Sequence, residues 1–296
     1  MSLGAPSRVR AWVLNLDANE ELAGRTPSAR AEAARARAAQ APELIELVAG
    51  GIVLGGGRDH DARGLAGLAF CPTAKALRAL AAAGATPPLA PSMDVLVRAN
   101  HRRLSASLGQ GLDHGAFVTD LGALAEAMAR LPHAEWVLKH PLGYVGRLRL
   151  RTHALDERCA AFARRCLAEA GGLQVEPWVE RVSDFALHGF VDASGRATLG
   201  EPTTQVCDET GAWRATSRAH DLDPAEARAL AREAGVAAAA LHAIGYFGPF
   251  GVDGFRYRAP GGAERLNLRC EINARYTMGW AVGMAGRRPD LEPGAA

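Results

Sequence analysis

The sequence predicts an α/β block followed by an α+β block built on antiparallel sheets. Three observations carry that prediction. Up to residue 92, short apolar runs alternate with helical stretches, the pattern of strands crossed over by helices. The segment "GATPPLAPS" then forms a Pro-rich, linker-like break. Beyond it come two helical stretches and a series of short β-patterned runs separated by turns.

Taken in order, "VRAWVLNLD" (residues 9–17) reads as a strand. "ARAEAARARAAQAPELIELV" contains a helix broken near Pro42. "GIVLGGG" is a short apolar run ending in glycines, the signature of a buried strand. "GLAFCPT" is another, followed by an alanine-rich helix at 74–83. Alternation of this kind implies a parallel sheet. "SMDVLVRANHRRLSASLGQGL" is helical after Ser92, a suitable N-cap, and "LGALAEAMARL" is a second helix with Asp120 as its cap. "EWVLKH", "RLRLRT", "GLQVEPWVE", "DFALHGFVD" and "RATLGEPTTQV" are strands, with "ASGRA" a hairpin turn. "DPAEARALAREAGVAAAALHAIG" is a helix with well-marked ends: Asp223 caps it, Pro224 takes the first position, Glu226 completes a capping box and Gly245 stops it. "FGVDGFRYRA" and "RLNLRCEINAR" form a final β-hairpin around "GGAE".

Bulk properties exclude several function classes. A net charge of +2, with arginines interspersed among acids, argues against nucleic acid or a membrane surface as partner. No apolar run approaches the roughly 20 residues that cross a bilayer, and the N-terminus lacks the apolar region of a signal peptide. Five cysteines without a CxxC or a Cys/His cluster suit reduced thiols in a cytoplasmic protein.

Of 34 basic side chains only Lys75 and Lys139 are lysine. Lys139 ends an apolar strand and precedes "HPLGYVGR", where Gly143 and Gly146 allow backbone amides to approach an anion. A surface lysine beside an ordinary hairpin is the plainer alternative. Asp253, Glu271 and Asn273 are three oxygen ligands on one hairpin, and Glu271 and Asn273, two apart on a strand, share a face. That donor set suits Mg²⁺, which takes few protein ligands together with substrate phosphates. In "LQVEPWVERVSDFAL", an apolar strand ends at Glu176, Trp178 and Val179 offer an apolar wall, and Asp184 follows a polar turn. Such a linker suits a planar base and a ribose, and equally an ordinary strand–turn–strand. His140, His188 and His242 read as packed structural histidines, and Tyr276, Thr277 and Met278 as shaping a pocket or capping a final helix.

The order of these pieces resembles the ATP-grasp superfamily, which includes D-alanine–D-alanine ligase and biotin carboxylase. The resemblance covers roughly residues 92–279, and "EINARYTMG" is similar to the E-x-N-x-R segment of biotin carboxylase-like members. It implies an N-terminal Rossmann-like (pre-ATP-grasp) domain at 1–92 and a two-lobed ATP-grasp domain with antiparallel sheets at 93–296. The nucleotide-binding lobe would span about 115–185 and the metal-binding lobe about 186–285. By resemblance Lys139 contacts ATP phosphates under a loop from Gly143 through Gly146 to Arg147. Glu176 and the Trp178–Val179 backbone hold adenine, Asp184 the ribose, and Asp253, Glu271 and Asn273 the Mg²⁺ (or Mn²⁺). Arg275 steadies the acceptor carboxylate or the developing phosphate charge, and Arg147 can share that work. Members of the family carry an earlier phosphate-binding lysine. Here "RANHRRLSAS" supplies only arginines, with Arg103 the first candidate and Arg102 and Arg98 behind it. The arginine that many ligases place two residues before the metal aspartate is replaced by Gly251.

The implied activity is ATP-dependent ligation. A small-molecule or peptide carboxylate is activated as an acyl phosphate and attacked by an amine, and many relatives act as homodimers. Two rivals stand beside it, an ATP-grasp kinase that stops at phosphate transfer and a nucleotide-binding protein without turnover. A nicotinamide-dependent dehydrogenase fails on motif, because "GGGRDH" lacks GxGxxG spacing.

Overall fold

The computed structural model describes residues 9–26, 39–55, 61–109, 111–143, 148–207 and 213–292, and three sheets organise them. In the first, β1 (Arg10–Val13) lies between β2 (Ile52–Val53) and β3 (Ala66–Ala69), parallel to both. The expected buried strand in "GIVLGGG" is only two residues long, and Val53 is exposed. It is a sheet edge, with the chain turning away at Gly55 in a left-handed conformation. Helices α1 (Ala18–Leu22), α2 (Pro42–Val48) and α3 (Ala74–Ala82) accompany this sheet. Pro42 starts α2 rather than breaking a longer helix, since its missing N–H costs nothing in the first turn. The alanine- and arginine-rich stretch before it falls largely outside the described residues.

The helix expected after Ser92 is two helices, α4 (Met93–Asn100) and α5 (Arg102–Ser107). Ser92 caps the first as anticipated. His101 then turns extended, and its ring accepts the Arg103 amide proton to cap the second.

The second sheet, antiparallel throughout, runs β4 (Ala116–Val118), β7 (Leu173–Pro177), β5 (Trp136–Lys139), β6 (Arg149–Thr152). Strand alternation divides its faces. Trp136, Leu138, Leu150, Leu173 and Val175 form a core with α6 (Leu121–Ala129) and α7 (Glu157–Ala170). The intervening Val137, Lys139, Arg149, Gln174 and Glu176 take the other face, with Lys139 opposite both Gln174 and Arg149. The sequence reading missed β4 and α7. Helix α7 carries five charges and many alanines among its 14 residues, and its buried stripe is made of Cys159, Ala163 and Cys166, too small to stand out as an apolar period.

The third sheet has the order β10 (Trp213–Ser217), β9 (Ala197–Cys207), β8 (Glu180–Val191), β11 (Gly248–Arg258), β12 (Glu264–Asn273). The expected polar turn before Asp184 is instead the start of β8, and β10 was not foreseen. Helix α8 (Pro224–Ala243) has the predicted capping box and ends two residues before Gly245, which is left-handed. It covers one face, packing Leu230, Ala234, Ala237 and Leu241 on Phe185, Leu187, Phe250, Val252 and Ile272. Asp253 pairs with Glu271, but Phe255 pairs with Asn267, so residues 268–270 bulge opposite Gly254. A Cβ on Gly254 would lie 2.7 Å from the Asn267 carbonyl, so the bulge requires glycine there.

After β12 the chain returns to the first sheet. The Tyr276 amide donates to the Phe70 carbonyl, its ring packs on Trp12 and Trp280, and α9 (Trp280–Met284) completes that core. No helix among the described residues is long and apolar enough to cross a membrane.

Candidate active site

A cleft of about 210 Å³ lies between the second and third sheets. The polar faces of both sheets supply its walls. From the second come Lys139 and Arg149. From the third come Asp184, Gln205, Asp253, Glu271 and Asn273, while Arg102 enters from α5 and Arg275 from the turn after β12.

Lys139 Nζ donates to Glu176 Oε2 at 2.5 Å, and both side chains are nearly buried. Burial alone would raise the Glu176 carboxyl. The Lys139 charge and hydrogen bond, with Arg102 nearby, outweigh that and hold it below the usual carboxylate range. Gln174 Nε2 donates to the other Glu176 oxygen at 3.3 Å.

Arg102, and not Arg103, reaches the cleft. Its guanidinium donates to Glu271 Oε1 at 3.0 Å and to the carbonyls of His140 and Gly143, so it joins the third sheet to the turn that follows β5. Arg103 points away, donating to the Gly171 carbonyl and stacking on Phe117. Neighbours on a helix diverge by about 100°, so only one of two adjacent arginines can face the cleft. Arg98 pairs with Asp94 on the exposed side of α4.

Asp253 and Glu271 are cross-strand partners, and Asn273 is opposite Gly251. Asp253 accepts from Gln205 Nε2 at 2.9 Å and from Asn273 Nδ2 at 2.8 Å. Burial, reinforced by the Glu271 charge, still pushes its carboxyl up to about 6. A buried aspartate beside a second carboxylate and an amide is the donor chemistry that a hard divalent cation relieves. Among the described residues no group of three His, Cys, Asp or Glu side chains forms a cage. The set therefore fits Mg²⁺, which takes its remaining oxygens from phosphate and water, better than a zinc-type ion.

Arg275 makes no ion pair among the described residues. Its Nε donates to Asn19 Oδ1 at 3.0 Å, so the first block fixes its direction, while its guanidinium lines the cleft beside Thr277 and Met278. Tyr276 is in the core instead. Asp184 lines the cleft and accepts from Arg181 Nη1 at 2.7 Å, and Arg181 stacks 4.0 Å over Phe255. Val179 packs with Leu112, Phe255 and Cys270. Trp178 is not an inner wall. It is 36% exposed beneath the Arg151 guanidinium, and its amide is engaged by the Glu135 carbonyl. Gly143 is at the end of the described turn; Gly146 and Arg147 lie outside the described residues. His140 is buried, its Nδ1 accepting from the Leu142 amide. Its Nε2 is 3.3 Å from Glu169 without hydrogen-bond geometry, and burial, with Arg25 nearby, lowers the ring to about 4. It is a packed neutral residue.

The sequence reading did not single out Gln205, Arg181 or Asn19. None stands in a motif, and each reaches the site only through strand register or packing between blocks.

No protein-family model matches the sequence, and no curated protein matches it with significance. Solved structures do. D-cycloserine synthetase DcsG aligns over 96% of this chain and 100% of its own, with TM-score 0.53 and 16% identity. D-alanyl-alanine synthetase A from Vibrio cholerae aligns over 95% and 92%, with TM-score 0.50 and 12% identity. The biotin carboxylase domain of Hydrogenobacter thermophilus 2-oxoglutarate carboxylase, solved with MgADP, ADP and bicarbonate, aligns over 95% and 70%, with TM-score 0.51 and 12% identity. All three are ATP-grasp enzymes, and this chain has the ATP-grasp fold.

Proposed function

We propose that this protein is an ATP-dependent ligase that joins a carboxylate to an amine, releasing ADP and phosphate. The observation that carries the reading is the cleft in which Lys139 and Arg102 face Asp253, Glu271 and Asn273 from opposing elements, with Arg275 also in its lining. Its neighbours' ligands agree with it, since the biotin carboxylase domain holds MgADP and bicarbonate.

In this reading Lys139 and Arg102 bind the triphosphate and neutralise charge that grows on the phosphoryl oxygens as a substrate carboxylate attacks the γ-phosphorus. Asp253, Glu271 and Asn273 hold Mg²⁺ or Mn²⁺, which when bound polarises the phosphoryl group. The Glu176 carboxylate keeps Lys139 aimed, and the Val179 backbone with Glu176 meets the base. Asp184 takes the ribose by exchanging its bond from Arg181. Gly143, with Gly146 and Arg147 beyond it, covers the phosphates, and excluding water protects the acyl phosphate until the amine displaces phosphate. Arg275 orients the carboxylate. Residues 1–92 serve as the pre-ATP-grasp, Rossmann-like domain, contributing Asn19 beside the acceptor, and 93–296 as the two-lobed grasp. The five free cysteines suit a reducing cytoplasm. The 2-oxoglutarate carboxylase domain is described as a dimer, and light scattering reads whether this chain pairs too.

The test is ADP release with Mg·ATP and pooled carboxylic acids and amines, with Lys139→Ala and Glu271→Ala as controls. ADP that requires a carboxylate plus an amine, and that disappears in both variants, is the expected result. ADP formed with a hydroxylated substrate alone would make the protein a kinase. Absence of any Mg·ATP binding would overturn the reading.

A further inference from the structure

Arg269 and Glu233 sit beside the cleft, and the proposed chemistry uses neither. Their side chains are 1% and 7% exposed, and Arg269 Nε donates to Glu233 Oε1 at 2.6 Å. Well-packed apolar residues commonly stabilise a core as well as a buried ion pair does, so stability alone does not account for this one. The rest of the guanidinium does something specific. Nη1 donates to the Ser105 carbonyl and, at 2.9 Å, to Ser105 Oγ, while Nη2 donates to the Gly109 carbonyl. All these acceptors lie at the C-terminal end of α5 or in the turn after it.

At the other end of α5 stands Arg102, spanning the His140 and Gly143 carbonyls and Glu271. A helix of six residues has too few internal bonds to hold its own direction. It is fixed by what grips its ends. The bulge at residues 268–270 turns Arg269 inward while Glu271 faces the cleft, so one strand carries both the anchor of α5 and the carboxylate that Arg102 meets. A lysine has no fork to hold acceptors on two elements at once.

We propose that Arg269, held by Glu233, is a positioning residue that fixes α5 so that Arg102 stands at the nucleotide phosphates. This rests on the reading of Arg102 as a phosphate contact. The role is indirect and passes wholly through Arg102, which makes it separable from a general packing role.

The experiment is a mutant cycle on the full chain. Glu233→Leu with Arg269→Met removes the anchor without stranding a buried charge. Arg102→Ala and the combination of all three complete the cycle. Calorimetry measures affinity for Mg·ATP and, separately, for adenosine, and thermal unfolding monitors the fold. The expected result is a roughly tenfold loss for Mg·ATP in the anchor variant, as when one charged hydrogen bond loses its aim. Adenosine affinity stays unchanged, and no further loss appears once Arg102 is already alanine. Full Mg·ATP affinity in the anchor variant, equal losses for ATP and adenosine, or additive losses in the combined variant would overturn the proposal. If the double replacement does not fold, Arg269→Lys, which keeps a cation beside Glu233 but loses the fork onto Ser105 and Gly109, takes its place in the same cycle. A wild-type protein that binds no Mg·ATP would sink the functional reading together with this one, whereas wild-type binding with an additive cycle sinks this one alone.

Discussion

Replacing Lys139 by methionine should damage stability and nucleotide binding by separate routes. The replacement leaves Glu176 nearly buried with only Gln174 as a direct side-chain partner. The carboxylate can escape by taking up a proton. From an ordinary carboxyl value of 4.5, that costs about 1.36 kcal/mol per pH unit, or roughly 3 kcal/mol at pH 7 and under about 1 kcal/mol at pH 5. In the variant the folded-state Glu176 value moves above its unfolded one. Stability is then full below about pH 4.5 and falls as pH rises, the opposite of the wild-type contribution of this group. Urea unfolding of Lys139→Met between pH 5 and pH 8 measures this directly. Adding Glu176→Gln should remove the pH dependence and restore most of the stability, while Mg·ATP affinity stays lost. Wild-type affinity in the double variant would refute the phosphate role of Lys139. A pH-independent loss in the single variant would refute the account of Glu176.

Arg102→Ala should weaken Mg·ATP binding by at least about tenfold, and Arg103→Ala should leave it within about twofold, because Arg103 engages Gly171 outside the cleft; calorimetry distinguishes them. Chelating the metal should weaken ATP binding, and Mn²⁺ affinity in the presence of ADP should fall as pH drops below about 6, where Asp253 takes up a proton; spin-resonance titration of free Mn²⁺ reads both. His188 is fully buried between Thr203 and Thr277, and burial lowers it to about 4. Its unfolded state binds the proton more readily, so the stability it contributes is present above about pH 6.5 and fades toward pH 4. About 2 kcal/mol should be lost between pH 7 and pH 5, a slope that flattens in His188→Gln when both are followed by urea unfolding.

Much of the fold was legible because its signals are local. The ends of α8 are written in Asp223, Pro224, Glu226 and Gly245, which at fixed offsets bond free backbone groups or, for Pro224, remove one. Lys139 could be assigned a strand because Trp136 to Leu138 is apolar, and the hairpin carrying Asp253 and Glu271 pairs as its pattern suggests. What stayed hidden depends on direction and on distant partners. Arg102 and Arg103 are equivalent as text, and the break at His101 decides which one faces the cleft. Asp184 reads as following a turn because Glu180 to Ser183 is polar, yet those residues are strand paired with β11. Trp178 looks like a pocket wall until Arg149 and Arg151 on β6, two strands away across β5, are seen to draw it to the rim. Gln205 meets Asp253 across a register that no short motif encodes.

The distribution of charge explains why position 139 is a lysine in a chain so rich in arginine. The second sheet and α5 bring only cations into the cleft, Lys139, Arg149 and Arg102, whereas the metal carboxylates all stand on the third sheet. A bare polyanion would be drawn to the cationic wall and would meet Asp253 and Glu271 on the other, where Arg181 is paired with Asp184 and Arg275 is held by Asn19. A polyanion carrying a divalent cation matches both walls and is oriented by them. Within that arrangement Arg102 must reach two carbonyls and a carboxylate at once, a task for a planar fork. Lys139 has a different task. It sits beside a buried carboxylate with room for one point charge, and a guanidinium there would bury donors that Glu176 and Gln174 cannot all satisfy. The identity of each cation thus follows from the number of acceptors its pocket supplies.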